Sequence, residues 1–194
     1  GWLYDINGNY DSTYSSSGSS SWSLYPSLSS YNHGDTLSLT ARSYSGGAYS
    51  AYSSAVSVTV DKETSVPTLS SPSSGSNTSD TTPTFTGTAE AGATVSLYTS
   101  SYSFVQSTTA DGSGDWSMTL SSALSTGSHS FVLKAMDSFS NTSDYSSTFT
   151  LMVTPAPPTI TSPSSGSTVG SSLTVQGTRG NTTDSVYFYI NGNY

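Results

Sequence analysis

The chain has 194 residues, with four Lys and Arg against twelve Asp and Glu and a formal charge of −8. That balance excludes nucleic-acid binding, which needs a basic stripe to displace counterions, and the lack of cysteine excludes disulfides and thiolate metal sites. Apolar residues make up only 32%, close to the range of disordered chains, but fourteen Tyr and a clean apolar alternation point instead to a thin-cored all-β protein.

In chain order, the strand pattern starts already at Trp2, so the chain is expected to be a segment of a longer polypeptide. No apolar run approaches the ~20 residues of a membrane-spanning helix, and no secretory leader pattern is visible. Ile6-Asn7-Gly8-Asn9-Tyr10 returns word for word as Ile190 to Tyr194, 184 residues later. A spacing of about half that recurs elsewhere. Gly18-Ser19-Ser20-Ser21-Trp22-Ser23-Leu24 matches Gly112-Ser113-Gly114-Asp115-Trp116-Ser117-Met118. Leu37, Leu39 and Ala41 match Phe131, Leu133 and Ala135, and Val56, Val58 and Val60 match Phe149, Leu151 and Val153. Pro67 to Ser76 matches Pro158 to Ser167. Ordered blocks in register mean a tandem repeat.

The repeat divides the chain into 1–61, the rear part of one unit entering at its third strand; 62–155, a complete unit; and 156–194, the front part of a third. Prolines at the two junctions limit strand pairing there. Strands in the complete unit are expected over Thr68 to Ser70, Thr84 to Gly87, Thr94 to Thr99, Phe104 to Thr109, Asp115 to Thr119, Ser128 to Met136 and Ser146 to Val153. Within Pro83 to Tyr98, Phe85 alternates with Thr84 and Thr86, and Val95 and Leu97 alternate with Thr94, Ser96 and Tyr98. That is the period of a half-buried strand. About seven short strands, with turn signals roughly every eight to twelve residues, argue a β-sandwich in each unit.

The stretches FTGTAEAGATVSLY, TADGSGDWSMTL and GSHSFVLKAMDSFSNTSDYSSTFTLMV resemble the bacterial Ig-like domain repeated in giant secreted and surface adhesins. The resemblance covers nearly the whole chain. It implies an all-β fold of tandem immunoglobulin-like β-sandwich repeats, an extracellular or cell-surface location, and a stiff spacer role in adhesion. The partners it implies are neighbouring repeats of the same polypeptide or fibre. A carbohydrate- or surface-binding module contacting cell-surface glycans, and a phage or virion appendage domain, are the alternative roles. The partial units at the two ends belong to a continuous array or, as the alternative, complete each other by strand exchange between successive subunits in a filament.

Core positions are assigned to Trp22, Trp116, Phe85, Val95, Leu97, Phe131, Leu133, Phe149 and Leu151, with Trp2 packed at the strand position of Val186. Burying one aromatic contributes about 2–3 kcal/mol. Tyr98, Tyr102, Tyr187 and Tyr189 are the candidates for stacking on a sugar. Serine abounds, but no base and orienter accompany it, and His33 and His129 lack further ligands at metal spacing, so no enzyme is expected. Calcium takes several carboxylates with carbonyl oxygens. The candidates to hold it are Asp137, Asn141 and Asp144 in one loop and, through the resemblance to calcium-stiffened adhesins, Asp61 with Glu63 at the junction.

Overall fold

The computed structural model describes residues 2–6, 12–13, 21 and 26–190. Every regular element among them is a strand, and none of them belongs to a helix long and apolar enough to cross a membrane. Two compact units are present, Gly1–Glu63 and Thr64–Tyr194.

The first unit holds β1 (Trp2–Ile6), β2 (Ser12–Thr13), β3 (Thr36–Arg42), β4 (Tyr44–Ser45), β5 (Ala48–Tyr49) and β6 (Val56–Thr59). Four of these form one sheet in the order β2-β1-β3-β6. β4 and β5 form a separate hairpin. Its two-residue loop needs positive φ at both central positions, a conformation glycine adopts without steric cost. Gly46 and Gly47 supply it, at φ 58° and 86°. Among its described residues, Leu37 and Val60 form a buried apolar cluster, packed with Leu28, Tyr31 and Leu39.

The second unit begins with β7 (Thr68–Ser71), β8 (Ser76–Thr78), β9 (Thr84–Thr88), β10 (Thr94–Thr99), β11 (Phe104–Thr109), β12 (Asp115–Thr119), β13 (Gly127–Met136) and β14 (Phe149–Val153). One sheet runs β11-β10-β13-β14-β8 and another β12-β9-β7. All pairs are antiparallel except β14 with β8. Apolar side chains of both sheets make one core of Phe85, Val95, Leu97, Phe131, Leu133, Phe149 and Leu151, each at most 5% exposed, with Trp116 and Met118. Phe85 of β9 meets Phe131 and Phe149 edge-on, with centroids 5.7 and 5.8 Å away, a favoured geometry for ring quadrupoles. The period-two reading of the complete unit therefore finds its inward residues in the core. Trp22, the other expected core tryptophan, lies outside the described residues.

Two strand expectations change. β8 is an added edge strand over Ser76–Thr78; sequence reasoning missed it because its three residues are polar and follow a Gly turn. β14 starts at Phe149 rather than Ser146. Ahead of β14 the ladder is continued by side chains. The Leu133 N–H donates to Ser146 Oγ at 2.9 Å, and the Ala135 N–H donates to Ser143 Oγ at 2.9 Å. Those serine hydroxyls donate onward to the carbonyls of Ser147 and Asp144.

The chain closes on β15 (Thr159–Ser162) and β16 (Gln176–Thr178), which repeat β7 and β9 in detail. Thr68 faces Thr88 and Leu69 faces Gly87, with a register shift before Ser71 opposite Thr86. Thr159 faces Thr178 and Ile160 faces Gly177, with the same shift before Ser162 opposite Gln176. Cross-strand hydroxyls bond in both pairs, at 2.7 Å for Thr68 with Thr88 and 2.6 Å for Thr159 with Thr178. A Cβ on Gly87 would sit 1.9 Å from the Thr68 carbonyl oxygen, and one on Gly177 would sit 1.9 Å from that of Thr159.

The first unit repeats the other sheet. Its order β2-β1-β3-β6 parallels β11-β10-β13-β14. One correspondence is displaced from the sequence match. Leu39 pairs with Val56 and Leu37 with Val58, whereas Phe131 pairs with Phe149. Leu39, and not Leu37, therefore stands in the place of Phe131, and Leu37 in that of His129. Serine ladder rungs agree: the Ala41 N–H donates to Ser53 Oγ as that of Leu133 does to Ser146. A slip of two residues keeps every side chain on its face, so apolar alternation is blind to it.

Candidate functional site

Inward residues of β10 leave Ser96 and Tyr98 on the outer face of the sheet, and β13 places Lys134 beside them, opposite Ser96. Tyr98 stands edge-on to Tyr145 at 5.4 Å and to Phe104 at 5.7 Å. Tyr102 lies 4.7 Å from Tyr145. It sits in a tight turn with φ of 64°, closed by its N–H donating to the Thr99 carbonyl at 2.8 Å. Lys134 Nζ stands 5.0 Å from the Tyr145 ring centre, within reach of a cation–π interaction. The result is a surface patch of Tyr98, Tyr102, Phe104, Tyr145 and Lys134, in which Tyr102 and Phe104 are each 61% exposed. Of the expected tyrosines, the structure brings Tyr98 and Tyr102 together. Phe104 and Tyr145 escaped sequence reasoning because they come from other segments; the outward parity of Phe104 relative to Tyr98 was the available signal.

A related arrangement occurs in the first unit. The Arg42 guanidinium lies 3.9 Å from the Tyr49 ring centre and 4.9 Å from that of Tyr52, with Tyr44 4.7 Å from Tyr49. Through the serine rungs, Arg42 takes the place of Lys134 and Tyr52 that of Tyr145. Tyr187 and Tyr189 are exposed at 63% and 55%, Tyr189 two residues beyond Tyr187 as Tyr98 is beyond Ser96.

The acidic candidates divide. Asp137 is buried to 7% exposure and organises its loop. Its Oδ1 accepts the N–H groups of Phe139 and Asn141, both at 2.8 Å, and its Oδ2 accepts the Asn141 side-chain amide at 2.7 Å. Burial alone would raise its pKa, but the Asn141 side chain and the backbone N–H groups of Asn141, Phe139 and Ser140 outweigh it and hold the carboxyl below its ordinary value. Asp144 of the same loop is exposed; its carbonyl accepts the Ser143 hydroxyl. In the first unit Asp61 Oδ1 lies 3.3 Å from His33 Nδ1 and accepts the Glu63 N–H at 3.4 Å. Glu63 is exposed. Asp137 with Asn141, and Asp61 with the Glu63 backbone, are thus each brought together by hydrogen bonds that shape the chain locally. A cation at either place would share those oxygens.

Residues 59–153 match the family model described as a bacterial Ig-like domain. This segment is thus similar to bacterial Ig-like domains. Its bounds enclose the eight strands β7 to β14, the core and the aromatic patch. No curated protein matches the chain. Among solved structures, one titled "Biofilm associated protein - BSP domain" is similar at 18% identity and a TM-score of 0.38, over 65% of this chain and 20% of that one. The chain thus spans about a fifth of that structure's length. A second, CopC from Methylosinus trichosporium OB3b, is similar at 15% identity and a TM-score of 0.32, over 45% of this chain and 92% of that one. Neither likeness is close enough to carry an argument about the role of the Ig-like domain.

Proposed function

We propose that this chain is a structural repeat segment of an extracellular bacterial surface adhesin or fibre, a stiff spacer that holds a distal element away from the cell. The observation that carries the reading is the reproduction of β7–β9 in β15–β16 within one chain, hydroxyl pair and glycine contact included. A chain that rebuilds one architecture in tandem gains length with each copy, and the proline-bearing junctions restrict the joints. Neighbouring copies are its first partners. Electron microscopy of chains extended by further copies of the 62–155 unit tests this. The expected result is a filament that lengthens by a constant increment per copy; compact particles that grow in all dimensions overturn it.

The aromatic patch supports a second reading, in which the Ig-like domain also contacts cell-surface glycans. Tyrosine supplies an apolar ring face and a polar tip, the combination that stacks on a sugar while bonding its hydroxyls. A glycan array probed with the chain and with a Tyr102→Ala, Tyr145→Ala double variant tests it, the expected outcome being signal that the variant loses. Calcium at Asp61 with Glu63, or at Asp137, Asn141 and Asp144, is proposed as a stiffening ion. An unchanged melting temperature on chelation removes it.

A further inference from the structure

We infer that the aromatic patch of the complete unit binds a carboxylate-bearing sugar, Tyr102 and Tyr145 taking the sugar ring and Lys134 its carboxylate. The inference rests on the glycan reading above and adds the charge of the ligand and the group that meets it. Its starting point is how the chain uses its few cations. Four basic residues are present in a chain of formal charge −8. Two are held by backbone: Lys62 Nζ donates to the carbonyls of Leu28 and Tyr31, and Arg179 Nη1 donates to that of Asp184. The other two, Arg42 and Lys134, stand on tyrosine rings.

The serine rungs show that these two placements correspond. The N–H groups of Leu133 and Ala135 donate to Ser146 and Ser143 Oγ, as those of Ala41 and Ser43 donate to Ser53 and Ser50 Oγ. Lys134 and Arg42 each lie between the two donors, and Tyr145 and Tyr52 each precede the first acceptor serine. The loops between the rungs differ, yet both units keep a cation over that tyrosine. A ring face attracts a cation without cancelling its charge. Among the described residues no carboxylate forms an ion pair with Lys134, so its ammonium is open to an anion from outside the chain.

The rings beside that charge are set for a sugar. Val132 faces outward opposite Tyr98 and is only 3% exposed, so the patch stands on a sealed apolar floor. Tyr102 and Tyr145 are inclined by 49° to one another, so neither ring is stacked flat on its neighbour. Tyr102 holds its place at φ 64°, a left-handed conformation that costs a bulky residue energy and costs glycine none. What a tyrosine adds at that position is its exposed ring. An apolar ring face with a hydroxyl tip suits a saccharide, and the ammonium alongside selects one that carries a carboxylate. The net negative charge of the chain opposes anions in general, so this local cation is what admits them.

Equilibrium dialysis of the 194-residue chain against two labelled acidic sugars tests the inference. The probes are trigalacturonate and sialyllactose, each beside its methyl ester, which keeps the rings and removes the charge. At least one acid is expected to bind about tenfold more tightly than its ester, and which one does so identifies the source of the carboxylate. Lys134→Gln and Tyr102→Gly are each expected to remove one binding site per chain for that acid. Both positions lie outside the core, so an unchanged near-ultraviolet signal of Trp116 reports that the complete unit remains folded. Either variant binding the acid with the wild-type number of sites and affinity would overturn the inference. Acid and ester bound equally would overturn it too but leave the glycan reading standing, whereas no binding to these probes or to any sugar of the glycan array removes both.

Discussion

At the scale of single residues, the abundance of serine and threonine has a use that composition hides. Ser143 is 5% exposed, and its hydroxyl stands in for a strand partner of the Ala135 N–H. Ser143→Ala leaves that donor buried and unpaired, a loss of about 1–3 kcal/mol. Exposed Ser138→Ala is expected to stay within about 0.5 kcal/mol; urea denaturation of the two variants makes the comparison. Gly87 is fixed by close approach: a Cβ would strike the Thr68 carbonyl oxygen at 1.9 Å and the Trp116 ring at 2.7 Å. Gly87→Ala forces β7 or Trp116 to move and is expected to cost about 3 kcal/mol, read from the shift of the urea midpoint. Asp137 gives a pH signature. Its folded pKa lies below the ordinary 3.8, so its contribution to stability is fully present above that value and is lost as pH falls through the lower folded pKa. Asp137→Ala should flatten the acid limb of a plot of melting temperature against pH, and an unchanged limb would assign the acid sensitivity elsewhere.

At the scale of elements, β9 and β10, one from each sheet, show how the alternation is used. Phe85, Val95 and Leu97 are all fully buried, and the rings of three strands meet at Phe85. Phe85→Ala removes the centre of that cluster, and a loss of about 3–5 kcal/mol is expected by denaturant titration. Period two was legible in the sequence because inward and outward residues of β9, β10 and β12 differ so sharply in polarity. Register was not. Leu37 and Leu39 are both apolar and lie on the same face, so a two-residue slip leaves the pattern intact, and only the pairing of Leu39 with Val56 decides it. The loop after β3 and its counterpart after β13 also diverge: Gly46 and Gly47 make a tight hairpin in one, and the Asp137 carboxylate gathers the other.

At the scale of the whole molecule, the match to the bacterial Ig-like family takes in residues 59–153, and the pairing of β7 with β9 recurs in β15 with β16 after it. Among the described residues, the central core shares no buried residue with the cluster of the first unit. The Val175→Asp chain is therefore expected to keep the urea midpoint of the central transition within experimental error, since Val175 lies outside the central core. A shift of that midpoint would mean that the segment of β15 and β16 supports the central core.

What the sequence determined by itself was the all-β class, the recurring words and the inward residues of β9, β10 and β12. All of these follow from side-chain periodicity and from matching words along the chain, which are properties of local order. What the tertiary structure decided was whatever depends on segments far apart in sequence. It assembled Tyr98, Tyr102, Phe104, Tyr145 and Lys134 into one patch, used serine hydroxyls as ladder rungs, and added β8 as a parallel edge. Each of these joins groups from different segments, so no local pattern marks the residues that take part, and their meeting belongs to the fold and not to the strand.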